Sequence, residues 1–280
     1  MRLSEIWTYP VKSMIGFTTP SALLGETGIV GDRRWALRDA ANGGLRTGKK
    51  VSALMQCAAT TDGPDSPAAR IVLPDGTVTS TDAPDINARL SAVAGFPVHL
   101  DGRPAHGSEP RRREAPPAGS DPLSEIREVM GRIGSEPLPD FSVFPADVLE
   151  FEGPLGGYYD ALPLLIMTTS TMRTLSDALP GSVVDVLRFR PSLMIDTDAA
   201  PGYPEAGWAR GTRLAVGSAL LEIEMGCPRC VMPTREVNAS IPADREILRY
   251  IVRELDQNLG VYARVLRGGT VGVGDEVVVA

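Results

Sequence analysis

Apolar and polar positions alternate through the first hundred residues in short stretches set off by turn residues: 3–11, 27–39 around Gly31 and Asp32, and 69–78, broken at Pro74-Asp75-Gly76-Thr77. A period of two bounded by Gly, Pro and Asp predicts strands, and so a β-rich N-terminal module. The second half is more regular. A continuous apolar run, 162–167, predicts a buried strand that leads through Thr168-Thr169-Ser170-Thr171 into a helix. Met172, Leu175 and Leu179 mark the apolar face of that helix, and Pro180-Gly181 stops it. Residues 186–195 read as a strand apart from Pro191, and a period of two places Arg188, Arg190 and Ser192 on one face. Leu221, Ile223 and Met225 alternate with Glu222 and Glu224, which predicts a half-exposed strand ending at Gly226. Asp244 is placed to cap a helix that turns Ile247, Leu248, Ile251, Val252 and Leu255 inward and stops at Gly260; closing strands are expected over 261–266 and 276–279.

Between the two halves, residues 101–119 are rich in Gly, Pro, Ala and charge, with Arg111-Arg112-Arg113 among them, and read as a mobile surface linker. A short helix is expected over 121–134, its stripe of Leu123, Ile126, Met130 and Ile133 directed into a core. The resulting division is 1–105 for the N-terminal module, 106–135 for the linker and short helix, and 136–280 for the second domain.

Composition narrows the classes of function. The chain has 280 residues, 43% of them hydrophobic, enough to bury a core unaided. No apolar run approaches the roughly 18 residues of a membrane span, and the start Met-Arg-Leu-Ser-Glu has no secretory apolar segment. A cytoplasmic protein with no membrane partner is expected. With 28 Lys+Arg against 35 Asp+Glu the net charge is -7, which argues against a general nucleic-acid binder. Three cysteines cannot form a disulfide scaffold, and two histidines leave little for an imidazole-bound zinc enzyme. No Walker loop, Rossmann fingerprint, kinase set or Gly-x-Ser-x-Gly elbow is present.

The sharpest chemical signal is Cys227-Pro228-Arg229-Cys230, directly after the alternating strand. Two thiols at this spacing are compatible with a structural zinc site, a redox pair, inert buried thiols, or one thiolate that ligates a soft metal or attacks a substrate with help from the charge of Arg229. Thr168 to Thr171 stand where a strand gives way to a helix, so free N–H groups and the helix dipole favour an anion there, although taken alone the segment reads better as an ordinary N-cap. Arg188 and Arg190, next to apolar neighbours, call for an anionic partner. Lys12 and Ser13 end the first strand, Arg33 and Arg34 follow the turn at Asp32, and Lys49 and Lys50 sit in a glycine turn.

In their order along the chain these pieces resemble one family. Tyr-Pro-Val-Lys-Ser at 9–13, Gly-Asp-Arg-Arg-Trp at 31–35, Arg-Phe-Arg-Pro at 188–191, Trp208, Cys-Pro-Arg-Cys-Val at 227–231, Leu-Gly-Val-Tyr-Ala at 259–263 and Gly274-Asp275 are similar to the MOSC-domain proteins that carry an N-terminal β-barrel module, among them amidoxime-reducing relatives. The resemblance implies an α+β, β-rich fold: an N-terminal β-barrel-like module packed on a C-terminal MOSC β-barrel domain with peripheral helices. It implies molybdenum cofactor, with Cys230 as the thiolate on molybdenum and Lys12, Ser13, Arg33, Ser170, Thr171, Arg190, Pro228 and Arg229 around the pterin and its phosphate. Lys49 joins them as a candidate, and Ser192 stands where the family has a longer Asn. The implied activity is removal of oxygen from a small N-hydroxylated or N-oxide-type substrate. Three cysteines cannot build a four-cysteine iron–sulfur site, so electrons are expected from a separate flavin, haem or iron–sulfur protein. Sulfur transfer through a cysteine persulfide and non-catalytic carriage of the cofactor are the alternatives.

Overall fold

The computed structural model describes residues 1–103, 111–113, 119, 121–153, 156–198 and 201–280. In chain order the N-terminal part contains β1 (Arg2–Thr8), β2 (Phe17–Thr18), β3 (Ser21–Gly25), β4 (Gly28–Ile29), β5 (Trp35–Asp39), β6 (Leu45–Arg46), β7 (Ala58–Thr60), β8 (Arg70–Val72), β9 (Val78–Ser80), α1 (Ile86–Ala94) and β10 (Val98–Gly102). A middle portion follows with β11 (Arg111–Arg112), α2 (Pro122–Met130), α3 (Ala146–Glu150) and β12 (Phe151–Glu152). The C-terminal part holds β13 (Leu164–Thr168), α4 (Thr169–Ala178), α5 (Val186–Phe189), β14 (Leu193–Asp196), β15 (Arg213–Val216), β16 (Ala219–Pro228), α6 (Glu246–Glu254), β17 (Asn258–Arg267), β18 (Gly269–Gly272) and β19 (Val277–Val279).

The main sheet has eight strands in the order β19-β15-β16-β17-β13-β14-β1-β2 and curls into a half-barrel. Of its pairings only β13 with β14 is parallel, joined by the crossover that contains α4. The sheet draws on both ends of the chain, β1 lying beside β14 and β19 beside β15, and in a separate three-stranded sheet β3 pairs with β18 across almost the whole sequence. Inside the curl sit Leu3, Ile6, Ile166, Leu193, Leu221, Ile223 and Val261. A second core, with Val11, Met14, Leu37, Leu54, Ile71 and Leu90, fills the N-terminal module, whose small sheets are β10-β5-β6 and β7-β8-β9. A third packs α4 and α6 on the sheet through Met167, Leu175, Ile247 and Ile251. Among the described residues no helix is long and apolar enough to cross a membrane.

Bulges decide which way key residues point. The β1–β14 register shifts between Leu3 and Glu5, so Leu3 and Ile6 enter the same core although three positions separate them. In β16 the register shifts between Ile223 and Met225. Ile223 faces the half-barrel interior, whereas Cys227, of the same parity, belongs to the opposite core. The extra residue turns the strand over and aims its end away from the barrel interior.

Five expectations are corrected. Residues 186–189 form a helical turn rather than a strand, because Asp185 accepts from Leu187 N–H at 2.8 Å and Arg190 then takes a left-handed φ of 59°. The strand expected to stop at Gly226 runs to Pro228, and α6 ends at Glu254 instead of near Gly260, with Asp256 and Gln257 in left-handed conformations turning the chain into β17. The stripe of α2 is not core: Met130 is buried, but Leu123, Ile126 and Ile133 are exposed. Nor is the arginine run a bare linker. Arg111 and Arg112 pair with β12, and Arg113 donates to Val148 O at 2.9 Å. The rest of that expected linker, 104–110, 114–118 and 120, lies outside the described residues.

Candidate functional site

A cavity of about 750 Å³ opens where the N-terminal module, the middle portion and the C-terminal sheet meet, a volume in the range of small-molecule sites. Lys12, Arg33, Lys49, Arg190, Pro228, Arg229 and Cys230 all line it. Residues spread over 219 positions of sequence thus converge on one space.

The cationic side begins at the end of β1. Tyr9, wholly buried, donates from its hydroxyl to Pro191 O at 2.9 Å, and the guanidinium carbons of Arg33 and Arg190 lie 4.9 and 4.4 Å from its ring centroid. Asp32 fixes this corner by accepting from Tyr9 N–H at 2.6 Å and pairing with Arg33. Arg190 donates to Met14 O. No carboxylate pairs with Arg190 among the described residues, and burial together with the neighbouring Arg33 charge pushes its pKa down to about 10. Lys12 Nζ donates to Tyr158 O at 2.9 Å and to Asp160 Oδ1 at 3.0 Å, and Lys49 Nζ reaches the same carboxyl oxygen at 3.1 Å. Burial lowers Lys12 to about 8, with Asp160 opposing the fall and Lys49 adding to it. Burial alone would raise Asp160, but the two ammonium groups outweigh it and hold the carboxyl well below its usual range.

The thiol side comes from the end of β16. Cys227 is buried and accepts from Arg229 Nη1 at 3.3 Å, while Arg229 Nη2 donates to Phe189 O at 2.7 Å. The charge expected to assist Cys230 therefore contacts Cys227 directly. Cys230 is half-buried and faces the cavity. Lys49 senses it: burial would lower that ammonium pKa, but Asp160 and Cys230 raise it. The third cysteine, Cys57, is sealed in the N-terminal core, where burial pushes its thiol up to about 12 and leaves it unreactive. No group of three or more His, Cys, Asp or Glu able to hold a metal occurs among the described residues, so the site offers cysteine sulfur at the cavity, with Cys230 the more accessible of the two lining cysteines, instead of a protein-only cage.

Four candidates do not reach the cavity. Ser170 Oγ bonds Thr197 Oγ at 2.7 Å, and Thr171 Oγ1 donates to Glu205 Oε2 at 2.7 Å. Thr168 adds a hydroxyl bond of 2.7 Å and an N–H bond of 3.3 Å to the same carboxylate. The anion favoured at the start of α4 is the chain's own Glu205, which is buried there. Ser192 is shut inside the sheet and accepts from Leu165 N–H at 3.3 Å. Ser13 is buried behind the wall, against the turn at Gly48. The partner expected for Arg188 is likewise not an anion: wholly buried, it donates to Val183 O at 2.8 Å, Pro233 O at 3.1 Å, Arg235 O at 3.1 Å and Pro242 O at 2.6 Å.

Sequence reasoning missed Asp160, which lines the cavity from a loop with no motif to mark it, and did not select Tyr262 as a site residue although it stands in the motif at 259–263. It also missed a backbone signal. Ser13, Arg33 and Arg190 have φ of 71°, 47° and 59°. Left-handed conformations cost a non-glycine residue about 1 kcal/mol or more and gather at functional sites. Strain at three of the sequence-selected positions is retained where side chains are being aimed.

The chemistry of this donor set fits an anionic cofactor with a soft metal. Cations outnumber carboxylates along the cavity wall, so the cavity is short of negative charge, and the Cys230 sulfur, a soft ligand, faces the same space.

Comparisons with known proteins agree with the sequence pattern. Residues 156–278 match the family model for the MOSC domain, and residues 1–107 match that for the MOSC N-terminal beta barrel domain. Over 303 aligned positions the chain is 22% identical to mitochondrial amidoxime reducing component 2 of Bos taurus, covering 98% of this chain and 82% of the bovine protein. Among solved structures, the YUAD protein from Bacillus subtilis aligns with a TM-score of 0.47 at 12% identity over 99% of this chain and 93% of that one. YiiM from Geobacillus stearothermophilus aligns with a TM-score of 0.33 at 14% identity, over 42% of this chain and 54% of its own.

Proposed function

Because this chain is a MOSC-domain protein that also carries the MOSC N-terminal β-barrel domain, we propose that it binds molybdenum cofactor and reduces N-hydroxylated or N-oxide-type small molecules. The observation that carries this reading is the half-buried Cys230 facing the same cavity as Lys12, Lys49, Arg33 and Arg190. Cys230 would supply the thiolate for molybdenum, and the cations would hold the anionic phosphate of the pterin. When bound, the metal supplies two-electron redox chemistry. In the net reaction the N–O bond breaks, two electrons and two protons enter, and the oxygen leaves as water. A separate flavin, haem or iron–sulfur protein provides the electrons.

The chain's own residues orient and exclude. Tyr9 spaces the two guanidiniums, Asp32 locks the backbone beside Arg33, and the Asp160 bridge holds both ammonium groups at the cavity wall. A persulfide carrier would need Cys230 but no concentration of cations, so the charge distribution favours cofactor binding over sulfur transfer.

Replacing Cys230 by Ala is the decisive test. Elemental analysis should find molybdenum lost from the purified variant, and turnover of N-hydroxylated substrates with an added electron donor should fall at least about a thousandfold, as expected when an essential ligand is removed. Full activity in the Ala variant, or one extra sulfur atom and no molybdenum in the wild type by mass spectrometry, would overturn the reading.

A further inference from the structure

The negative charge of this chain is concentrated in its middle portion. Residues 121–150 hold seven acidic side chains against two arginines, and so carry most of the net charge of -7. Glu136 pairs with Arg249, Glu150 with Arg112, and Glu125 stands 3.9 Å from Lys50. Asp121, Glu128, Asp140 and Asp147 are exposed, and no cation pairs with them among the described residues. The same stretch holds five of the twelve large apolar side chains that stand exposed among the described residues: Leu123, Ile126, Ile133, Val143 and Leu149. Exposed apolar surface gathered in this way costs hydration free energy unless a partner covers it, and it marks contact sites.

Its position joins this surface to the chemistry. Ile126 and Leu149 border the cavity that Cys230 also lines, and Leu123 lies one helical turn before Ile126 on α2, so apolar surface continues from the cavity to the outside. The C-terminal end of α2 is fastened to the cysteine loop: Val129 O accepts from Val231 N–H at 3.1 Å, and Arg132 donates to Arg229 O at 3.2 Å. One side of the helix thus meets the cavity and the other meets solvent. The two sides differ in charge. Lys12, Lys49, Arg33 and Arg190 inside suit an anion, whereas the exposed carboxylates outside repel one. Those carboxylates complement a basic partner and not the cofactor.

We propose that this acidic, apolar face docks the electron-donor protein, and that the donor is a basic one-electron carrier with a small apolar patch, ringed by lysine and arginine, over the edge of its redox group. The apolar centre gives contact at the small area of transient redox pairs, while opposite charges speed encounter and fix orientation. Each docking oxidises one donor by one electron. Two dockings supply the two electrons of each N–O cleavage, and the two protons come from solvent. The electron step rests on the oxygen-removal reading above; the docking of a basic protein does not.

Ferricytochrome c, whose haem edge is ringed by lysines, is the probe. Calorimetry at low ionic strength should show it binding the cofactor-free, full-length protein. The affinity should fall at least about tenfold in Glu128→Lys/Asp147→Lys and several-fold in Leu123→Ser. Asp62→Lys/Asp177→Lys changes the net charge equally at exposed positions elsewhere, and should keep the affinity within about twofold of the wild type. A second readout uses the cofactor-loaded protein, reduced chemically and freed of reductant. Its rate of ferricytochrome c reduction should drop in Glu128→Lys/Asp147→Lys, while reduction of duroquinone, small and uncharged, stays at the wild-type rate. No binding by the wild type, equal losses in the two charge-reversed pairs, or haem reduction indifferent to Glu128→Lys/Asp147→Lys overturns the proposal. So does sedimentation showing a wild-type dimer that Leu123→Ser splits, because a second copy then covers the face. If the protein holds no molybdenum, the oxygen-removal reading fails, and calorimetry alone decides whether the face docks a basic protein.

Discussion

Arg190 is the residue at which the site's physics is most visible. Its guanidinium sits on Tyr9, donates to Met14 O and shares its surroundings with Arg33. A carboxylate would relieve that repulsion, yet the nearest anions are committed elsewhere: Asp32 to Arg33, and Asp160 to the two lysines. The unmet charge is what an incoming phosphate would satisfy. Lys12 gives this a pH signature. Its ammonium is lowered to about 8 by burial, so it carries its charge below that pH and loses it above. Binding of inorganic phosphate to the cofactor-free protein, followed by calorimetry, should weaken as pH rises from 7 to 9 beyond the change seen in Lys12→Arg, whose charge persists. An identical profile in the two proteins would remove Lys12 from the anion site. The lysine was legible in the sequence through its motif; Asp160, which sets its environment, was not, because a lone acidic residue in a loop carries no pattern.

At the scale of elements, two local devices hold the site in place. Arg188 ties α5 to the segment after the cysteines by donating to three of its carbonyls, with a fourth bond to Val183 O ahead of the helix, while fully buried. Arg188→Leu should cost about 4 kcal/mol or more in urea unfolding, since several buried acceptors lose their donor at about 1–3 kcal/mol each. A loss below about 1 kcal/mol would mean that the carbonyls find other partners. Gly260 in β17 has a φ of 77°, and a Cβ there would lie 2.7 Å from Met167 Cγ and 2.9 Å from Ile166 O. Gly260→Ala should lower stability by about 2–4 kcal/mol through strain and the clash with β13, a shift readable in the same denaturant titration. The alternation of Leu221, Ile223 and Met225 did announce β16, and the periodicity of 247–255 announced α6. What periodicity could not announce was the bulge before Met225, because an inserted residue leaves the local apolar pattern intact while reversing every side chain beyond it.

Across the whole molecule, the two ends of the chain are woven into one sheet. β1 stands between β14 and β2 in the half-barrel, and β3 pairs with β18 in a separate small sheet, so the first 25 residues supply strands to two sheets that the far end of the chain also builds. Lys12 and Arg33 then arrive at the cavity from the N-terminal part, with Tyr9 buried behind Arg33, and Arg190, Arg229 and Cys230 arrive from the C-terminal part. A fragment of residues 108–280 should accordingly fail to fold: its proton–nitrogen NMR spectrum should show the narrow dispersion of an unfolded chain, since removing β1 and β3 strips backbone partners from β14 and β18 and opens the core around Ile166 and Leu193. A well-dispersed spectrum would show that the sheet stands without its N-terminal strands.

By itself the sequence determined most strands and helices and, through the ordered motifs from Tyr9 to Asp275, the family and the cysteine loop. These depend on neighbours within a few positions, where hydrophobic period, turn residues and caps act. Only the tertiary structure decided that Glu205 fills the end of α4, that Arg188 is satisfied by carbonyls and not an anion, that Cys227 turns toward Arg229, and that Ile126 and Met130 of α2 line a cavity wall. Each of those outcomes is a choice of partner between groups far apart in sequence, set by which surfaces the folded sheet brings within a few ångströms, and composition and spacing are blind to that distance.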